Sequence, residues 1–360
     1  MHSKMATDML PPLPTEDLRR AHDMLSEQTW RELSGRRIFV TGGTGFVGKW
    51  LLATLLNADR RLDLGCRVCV LSRDPAAFLS TAPHLAAARG VELLQGDVRD
   101  FVFPGGRFDT VIHAATDVVA QCPPETTFLT CIEGTRRVLD FACQADAKDL
   151  LLVSSGAVYG RQPPELTRVP ETHTGAPDPL LPSSAYGEGK RAAEWLACVA
   201  GSTSVLQTKI ARCFAFVGPY LPLDKQFAIG NFLKAALAGD EILIQGDGTP
   251  HRSYLYAADM AAWLWAVLLR GKSCVAYNVG ADESLSIADL AQRVCQVLNA
   301  SSRIRTLKAA LAETLPERYV PDVDRARAEL GLPEPMPLGE AIARTAQWHR
   351  QLATHKECIQ

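Results

Sequence analysis

The 360-residue sequence is short of the features that single out specialised chains, and each shortage closes off a class of function. Neither charge is in excess: 38 Lys and Arg stand against 40 Asp and Glu, a formal net charge of −2. A protein whose main ligand is a nucleic-acid backbone carries a basic footprint, so no nucleic-acid partner is expected. Apolar runs break at Arg, Asp or Glu well before the roughly 18 residues of a membrane-spanning helix, so no membrane partner is expected either. The N-terminal stretch holds Lys4, Asp8, Glu16, Asp17, Arg19 and Arg20 with no apolar segment among them. That is not a secretory signal, and the expected location is cytoplasmic. Cysteines number only 10, most of them inside apolar runs such as Phe141-Ala142-Cys143 and Ala197-Cys198-Val199, as reduced buried thiols are. Cys66-x-x-Cys69 lies in a strand-like run and lacks a second pair, so neither a zinc site nor a redox motif is supported and no metal is expected.

What the chain has is an average soluble composition, 47% hydrophobic and 22% charged, and a length that suits one large or two modest domains. Residues 1–35, with Pro11, Pro12 and Pro14 and then Thr15 as candidate N-cap of a helix over 15–25, read as an appended arm. From Arg36 onward strands alternate with helices. Strands are expected at 37–41, 67–71, 91–94, 110–113, 150–154 and 205–210, and helices at 46–56, 74–88 with a break at Pro83, 125–144 and 185–199. This alternation argues for an α/β protein with a doubly wound parallel sheet covered on both faces. Between 160 and 184 the periodicity stops and six prolines appear, a stretch long enough to suggest function rather than mere connection. Beyond Gly218-Pro219 the elements are shorter and mixed: helices at 226–238, 257–269, 287–298 and 338–352, strands at 242–244 and 276–279. The division expected is a nucleotide-binding domain over 36–215 and a smaller mixed α/β substrate lobe over 216–354, with segments near 250–280 returning to the first domain.

Three motifs carry chemistry. Thr41-Gly42-Gly43-Thr44-Gly45-Phe46-Val47-Gly48 follows a strand and opens a helix, so its glycines permit a tight turn and close approach of a pyrophosphate to a helix N-terminus. Val153-Ser154-Ser155-Gly156-Ala157-Val158-Tyr159-Gly160 ends a strand, and Ser155 stands 31 residues before Tyr186. Tyr186-Gly187-Glu188-Gly189-Lys190 opens a helix, where residues i and i+4 are neighbours and both polar groups can face one ligand. An ammonium there is expected to draw the phenol below its usual value near 10.

In this order and spacing the motifs resemble the extended branch of the short-chain dehydrogenase/reductase superfamily, the nucleotide-sugar epimerase/dehydratase family. The likeness runs from about residue 36 to 350 and implies a Rossmann-type fold. It also implies a bound NAD or NADP, a nucleotide-sugar substrate and a homodimer formed through the helices at 125–144 and 185–199. Ser155, Tyr186 and Lys190 are its implied catalytic residues. Tyr186 would exchange the hydroxyl proton, Ser155 hold the same oxygen, and Lys190 hold the nicotinamide ribose. Cofactor contacts are implied at Gly42, Thr44, Gly45, Phe46, Val47 and Gly48, at the turn Gly96-Asp97-Val98, and at Ala114 and Ala115 after His113. Ser154, Asn231 and Arg252 are the implied substrate contacts, Arg252 toward a diphosphate because a guanidinium fork donates two hydrogen bonds.

Departures from the family pattern narrow the chemistry. In its 4,6-dehydratases the two residues after the catalytic Ser or Thr are typically Asp and Glu, whereas here Gly156 and Ala157 can move no proton. A 4-epimerase or 4-ketoreductase is therefore expected ahead of a dehydratase with its acid and base elsewhere, or a reductase of a non-nucleotide ketone or aldehyde. Ser72-Arg73 stands where an NAD enzyme commonly has an acidic residue, which puts NADP ahead of NAD, with Asp74 as the carboxylate that would restore NAD by turning inward. Ala215 and Cys131 replace two asparagines of the family pattern, removing polar groups from the neighbourhood of the substrate.

Overall fold

The computed structural model describes residues 9–116, 122–225, 227–310 and 315–357. Six strands follow the glycine-, proline- and loop-delimited apolar runs of the first half: β1 (Arg37–Thr41), β2 (Arg67–Ser72), β3 (Val91–Gln95), β4 (Thr110–His113), β5 (Asp149–Ser155) and β6 (Gln207–Cys213). Short strands follow at β7 (Phe216–Val217), β8 (Ile242–Ile244), β9 (His251–Arg252) and β10 (Leu255–Tyr256), then β11 (Val275–Val279), β12 (Leu285–Ser286), β13 (Ile304–Thr306) and β14 (Arg318–Tyr319). A seven-stranded sheet has the order β11-β6-β5-β4-β1-β2-β3, with every pair parallel. Helices Phe46–Leu62, Pro124–Gln144 and Ala185–Thr203 cross between strands. The chain reverses its direction of winding between β1 and β4, and in such sheets ligands bind beyond the strand C-termini at that switch point.

Alternation along each strand feeds two cores. Ile38 and Val40, Val68 and Val70, Leu151 and Val153 face one side, where they meet Trp50, Trp263 and Trp265. Phe39, Cys69, Leu71, Leu150 and Leu152 face the other, where Phe101, Phe108 and Phe141 pack around Phe39. Cys66 and Cys69 thus point into opposite cores, where burial pushes their thiols up to about 12 and about 11. All nine described cysteines are free. No helix among the described residues is long and apolar enough to cross a membrane.

Helix Ala257–Arg270 is buried along most of its length and packs on Phe46–Leu62, while β11 extends the main sheet beside β6. The rest of the second lobe is built from helices Ala228–Ala238 and Ile287–Leu298, the parallel pair β8–β13 and the small sheet β12-β9-β14. Ala228–Ala238 begins after Phe227; Gln226, where the sequence pattern places its start, lies outside the described residues. Likewise β6 begins at Gln207 rather than at Val205, which is 86% exposed, because the chain first turns at Ser204 and Leu206.

The arm, described from residue 9, folds against the body. Thr15 is the first residue of helix Thr15–Asp23 rather than its cap, since Pro14 holds the cap position, and a second helix, Glu27–Arg31, is capped by Ser26. Buried Asp17 accepts hydrogen bonds from Tyr256 (2.6 Å) and Arg344 (2.9 Å), and Arg20 pairs with buried Asp259. Trp30 stacks on His22 and tilts against Trp265. These contacts sew residues 9–35 onto Ala257–Arg270 and the C-terminal helix Leu338–Glu357.

Candidate active site

The turn after β1 is shaped by what it cannot hold. Gly42 has φ +72°, and a Cβ there would lie 2.5 Å from the Ala114 carbonyl carbon. At Gly48 a Cβ would lie 2.2 Å from the Gly42 carbonyl oxygen, so the helix starts in contact with the turn only because that atom is missing. Gly45 is the N-cap of Phe46–Leu62 and brings no side-chain acceptor. The first N–H groups of the helix, those of Phe46 and Val47 among them, are left without an intrahelical partner at the positive end of the dipole. That arrangement fits a dinucleotide pyrophosphate. Thr44 lies within the same turn.

Behind the turn, Thr41 Oγ1 lies 2.8 Å from His113 Nδ1, and His113 Nε2 lies 3.1 Å from Thr135 Oγ1. Full burial pushes this imidazole down to about 3, so it is neutral and serves to tie β1, β4 and helix Pro124–Gln144 together. Thr41 Oγ1 also accepts from the Ala115 N–H (3.2 Å), which fixes Ala114 and Ala115 against the glycine turn.

At the end of β2, Ser72 is buried and its hydroxyl accepts the Asp74 N–H (3.2 Å). Asp74 does not turn inward: its carboxylate accepts the Ala77 N–H (2.9 Å) and caps the next helix. Asp97 is engaged by Arg99, and the hydrogen bonds from that guanidinium hold its carboxyl below the usual range, with the exposed Arg73 adding a smaller pull. Val98 is buried against Gly134, where a Cβ would lie 3.0 Å from it.

Ser155 closes β5. Its Oγ accepts the Ala157 N–H (3.1 Å), capping the single turn Gly156–Tyr159. Lys190, one turn after Tyr186, sends its ammonium to Thr116 Oγ1 (2.7 Å) and the Val153 carbonyl (2.8 Å), 5.9 Å from the centre of the Tyr186 ring. One of its three protons is left for a ligand. The electrostatics differ from the sequence expectation. Burial pushes the Tyr186 phenol up, the Ser155 hydroxyl opposes that shift, and burial also depresses Lys190. Buried Cys131 lies under this pair, 3.1 Å from where Gly189 would carry a Cβ.

Ser154 faces the other way. Its hydroxyl donates to Glu194 Oε1 (2.6 Å), and Glu194 is forked by Arg212 through Nε (3.0 Å) and Nη2 (2.7 Å). Arg212 also donates to Tyr159 Oη (2.9 Å), and Tyr159 donates to Asn278 Oδ1 (2.8 Å). The Ser154 hydroxyl is therefore spent on the scaffold under the site and not turned toward a substrate. Arg252, on β9, donates to the His251 carbonyl and lies 5.9 Å from the centre of the Tyr319 ring. Asn231 is exposed on helix Ala228–Ala238, and among the described residues no contact joins it to Ser155 or Tyr186.

Two residues at the site have no counterpart in the motif reading. Thr116 orients Lys190. Tyr319 brings its hydroxyl to 3.4 Å from Ser155 Oγ, and its ring lies 4.6 Å from that of Phe214. Arg318-Tyr319 immediately precede Val320-Pro321-Asp322, so the segment was visible but no spacing ties it to Ser155.

Residues 38–280 match the model of the NAD dependent epimerase/dehydratase family. The chain is 28% identical over 330 residues to UDP-glucuronic acid decarboxylase 1 of Xenopus tropicalis, covering 90% of this chain and 75% of the relative. Among solved structures, the dTDP-glucose 4,6-dehydratase DesIV of Streptomyces venezuelae, with NAD bound, superposes with TM-score 0.74 at 25% identity, over 90% of this chain and 100% of that one. The UDP-glucose 4-epimerase of Thermotoga maritima superposes with TM-score 0.71 at 22% identity, over 88% and 99%. With its parallel sheet, its glycine turn and the Ser155, Tyr186 and Lys190 cluster, the chain belongs to the NAD dependent epimerase/dehydratase family, nucleotide-sugar enzymes of the extended short-chain dehydrogenase/reductase type.

Proposed function

We propose that this protein transfers a hydride at C4 of a nucleoside-diphosphate sugar, as a 4-epimerase or a 4-ketoreductase. The observation that carries this reading is the Lys190 ammonium 5.9 Å from the centre of the Tyr186 ring, with Ser155 at the end of β5 followed by Gly156 and Ala157, which can move no second proton. The dinucleotide, when bound, accepts and returns the hydride. Tyr186 takes the C4 hydroxyl proton as the hydride leaves and gives it back on reduction, while Ser155 holds the same oxygen. Lys190 presents its remaining proton to the ligand beside them. Epimerisation asks for no further base, since the same phenol serves both half-reactions once the keto sugar has turned over.

At the adenosine end we propose NADP in preference to NAD. Ser72 brings no charge, Asp74 is taken up in capping, Asp97 is engaged by Arg99, and exposed Arg73 adds a positive charge. Arg252 is our assignment for the diphosphate, with Asn231 of the same lobe as a further contact. A homodimer through Pro124–Gln144 and Ala185–Thr203 is supported by Trp195, 66% exposed, with Leu129 and Val199 also exposed on the same two helices.

The relative from Xenopus favours a second reading, decarboxylation of a nucleotide-linked uronic acid. Oxidation at C4 makes the C6 carboxylate that of a β-keto acid, which loses CO2 before the ketone is reduced. One experiment separates the readings. UDP-, dTDP-, CDP- and GDP-hexoses and UDP-glucuronic acid are each followed by proton NMR with NAD+ or NADP+. A stereoisomer of equal mass establishes the epimerase, and NADPH oxidation on adding a 4-keto sugar nucleotide establishes the reductase. Release of CO2 from the uronate establishes the second reading and sinks the first. Tyr186→Phe is expected to bind cofactor as before and lose at least 100-fold in turnover; a fully active variant removes Tyr186 as the base.

A further inference from the structure

Lys49 is the fourth residue of helix Phe46–Leu62, and its N–H donates to the Gly45 carbonyl (2.9 Å). Helical side chains slant toward the N-terminus, so the Lys49 stem runs back over the turn that opens the helix. Its neighbour one turn earlier is Gly45, which is exposed and has no side chain to stand in the way. The ammonium is thus carried on the same turn as the free N–H groups of Phe46 and Val47.

Around that ammonium the protein supplies an aromatic face and no anion. Lys49 Nζ lies 5.3 Å from the centre of the Tyr220 ring. Tyr220 donates its proton to the Pro11 carbonyl (3.1 Å), so in the 2.8 Å contact with His84 Nε2 the histidine is the donor. Trp348 packs edge-on against the same ring and holds it in place. Among the described residues no carboxylate pairs with Lys49 and no hydrogen bond engages its three protons. A partly buried ammonium in this position keeps its desolvation cost, of which a cation–π contact returns only a part. Burial accordingly pushes it down to about 8.

We propose that Lys49 is a further cofactor-binding residue: its ammonium, resting on the Tyr220 ring, pairs with the diphosphate of the nicotinamide dinucleotide at the start of the helix. The diphosphate brings the negative charge and acceptor oxygens that this ammonium lacks. The Phe46 and Val47 N–H groups offer only partial charges there, and Lys190 is engaged elsewhere by Thr116 and Val153. Since NAD and NADP share the diphosphate, Lys49 takes no part in choosing between them. The inference rests on the dinucleotide of the family and not on hydride transfer at C4, so it survives a failure of the substrate panel.

The test is calorimetric titration of the full chain, freed of bound dinucleotide, with NAD+ and with NADP+. Lys49→Met is expected to weaken both by roughly tenfold, the worth of one charge-assisted contact, and Lys49→Arg to restore most of that loss. A second readout needs no variant. At pH 8 the free amine is about half protonated, and pairing with the diphosphate raises it, so binding takes up about half a proton from the buffer. Titrations in buffers of different ionisation enthalpy measure this uptake, which should vanish in Lys49→Met. The titratable groups facing Lys49 are His84 and Tyr220. Burial and the Lys49 charge hold His84 below its usual value, and burial holds the Tyr220 phenol up, so neither changes charge near pH 8. Unchanged affinity of Lys49→Met for both dinucleotides overturns the proposal. A loss confined to NADP+ also overturns it, since the ammonium then meets the 2′-phosphate. Wild type that binds without taking up a proton at pH 8 overturns it whether or not the variants fold. A chain that binds neither dinucleotide removes the family cofactor, and the proposal with it.

Discussion

Glu194→Leu is the perturbation that most directly asks whether the floor under the active site is electrostatic. The Glu194 carboxylate accepts four hydrogen bonds from two side chains, one from Ser154 and three from Arg212, and its side chain is 10% exposed. The Arg212 guanidinium, 17% exposed, is pushed up by that carboxylate despite its burial. Removing the carboxylate strands a charge in a place with little water. Breaking such a pair from one side costs about 3 kcal/mol, since the remaining ion keeps its desolvation penalty. The double variant Glu194→Leu/Arg212→Met carries no stranded charge, and about half of the loss should return. Urea unfolding of the two variants and wild type, fitted with a common slope, measures both numbers. If Glu194→Leu loses less than 1 kcal/mol, or if the double variant is less stable than the single one, the pair is not the support described here.

Gly48→Ala should cost the dinucleotide site most of its affinity. Its Cβ would stand 2.2 Å from the Gly42 oxygen, so helix and turn must part, with an expected loss of roughly 100-fold by calorimetric titration; affinity within threefold of wild type refutes the contact. Acid should destabilise the fold through His113, whose folded value of about 3 lies below the ordinary 6.5. The unfolded chain takes the proton first, so stability is intact above pH 6.5 and lost as pH falls toward 3, by about 2 kcal/mol at pH 5; His113→Gln should flatten that slope, and an unchanged slope would refute the assignment.

The sheet was legible because each of its strands couples a β-branched or aromatic run to a turn signal, as in Arg37-Ile38-Phe39-Val40-Thr41 followed by glycine. Helices were legible down to the break at Pro83, where the chain forms Pro75–Thr81 and then Pro83–Ala86. Strands of two residues were not, because β9, β12 and β14 have no period to read and exist only through their pairing with one another. The same limit applied to the site. Ser155, Tyr186 and Lys190 announce themselves by spacing, whereas Tyr319 and Glu194 earn their places through contacts across 164 and 40 residues. Ser154 shows the converse: neighbouring Ser155 on a strand, it must face the opposite side, and alternation alone directs it to Glu194.

That alternation also explains how the chain can lack charged groups after Ser155 without losing order there. Gly156 removes a side chain from the surface over β5, and the Phe214–Tyr319 ring pair occupies the space. An acid at 156 would need that space and would place a charge against the Phe214 ring and the Tyr319 hydroxyl, with Arg212 already paired to Glu194 and Lys190 engaged by Thr116 and Val153. Uncharged packing at this site is therefore consistent with the proposed hydride chemistry, in which the Tyr186 phenol moves the proton and no second acid is required at 156 or 157.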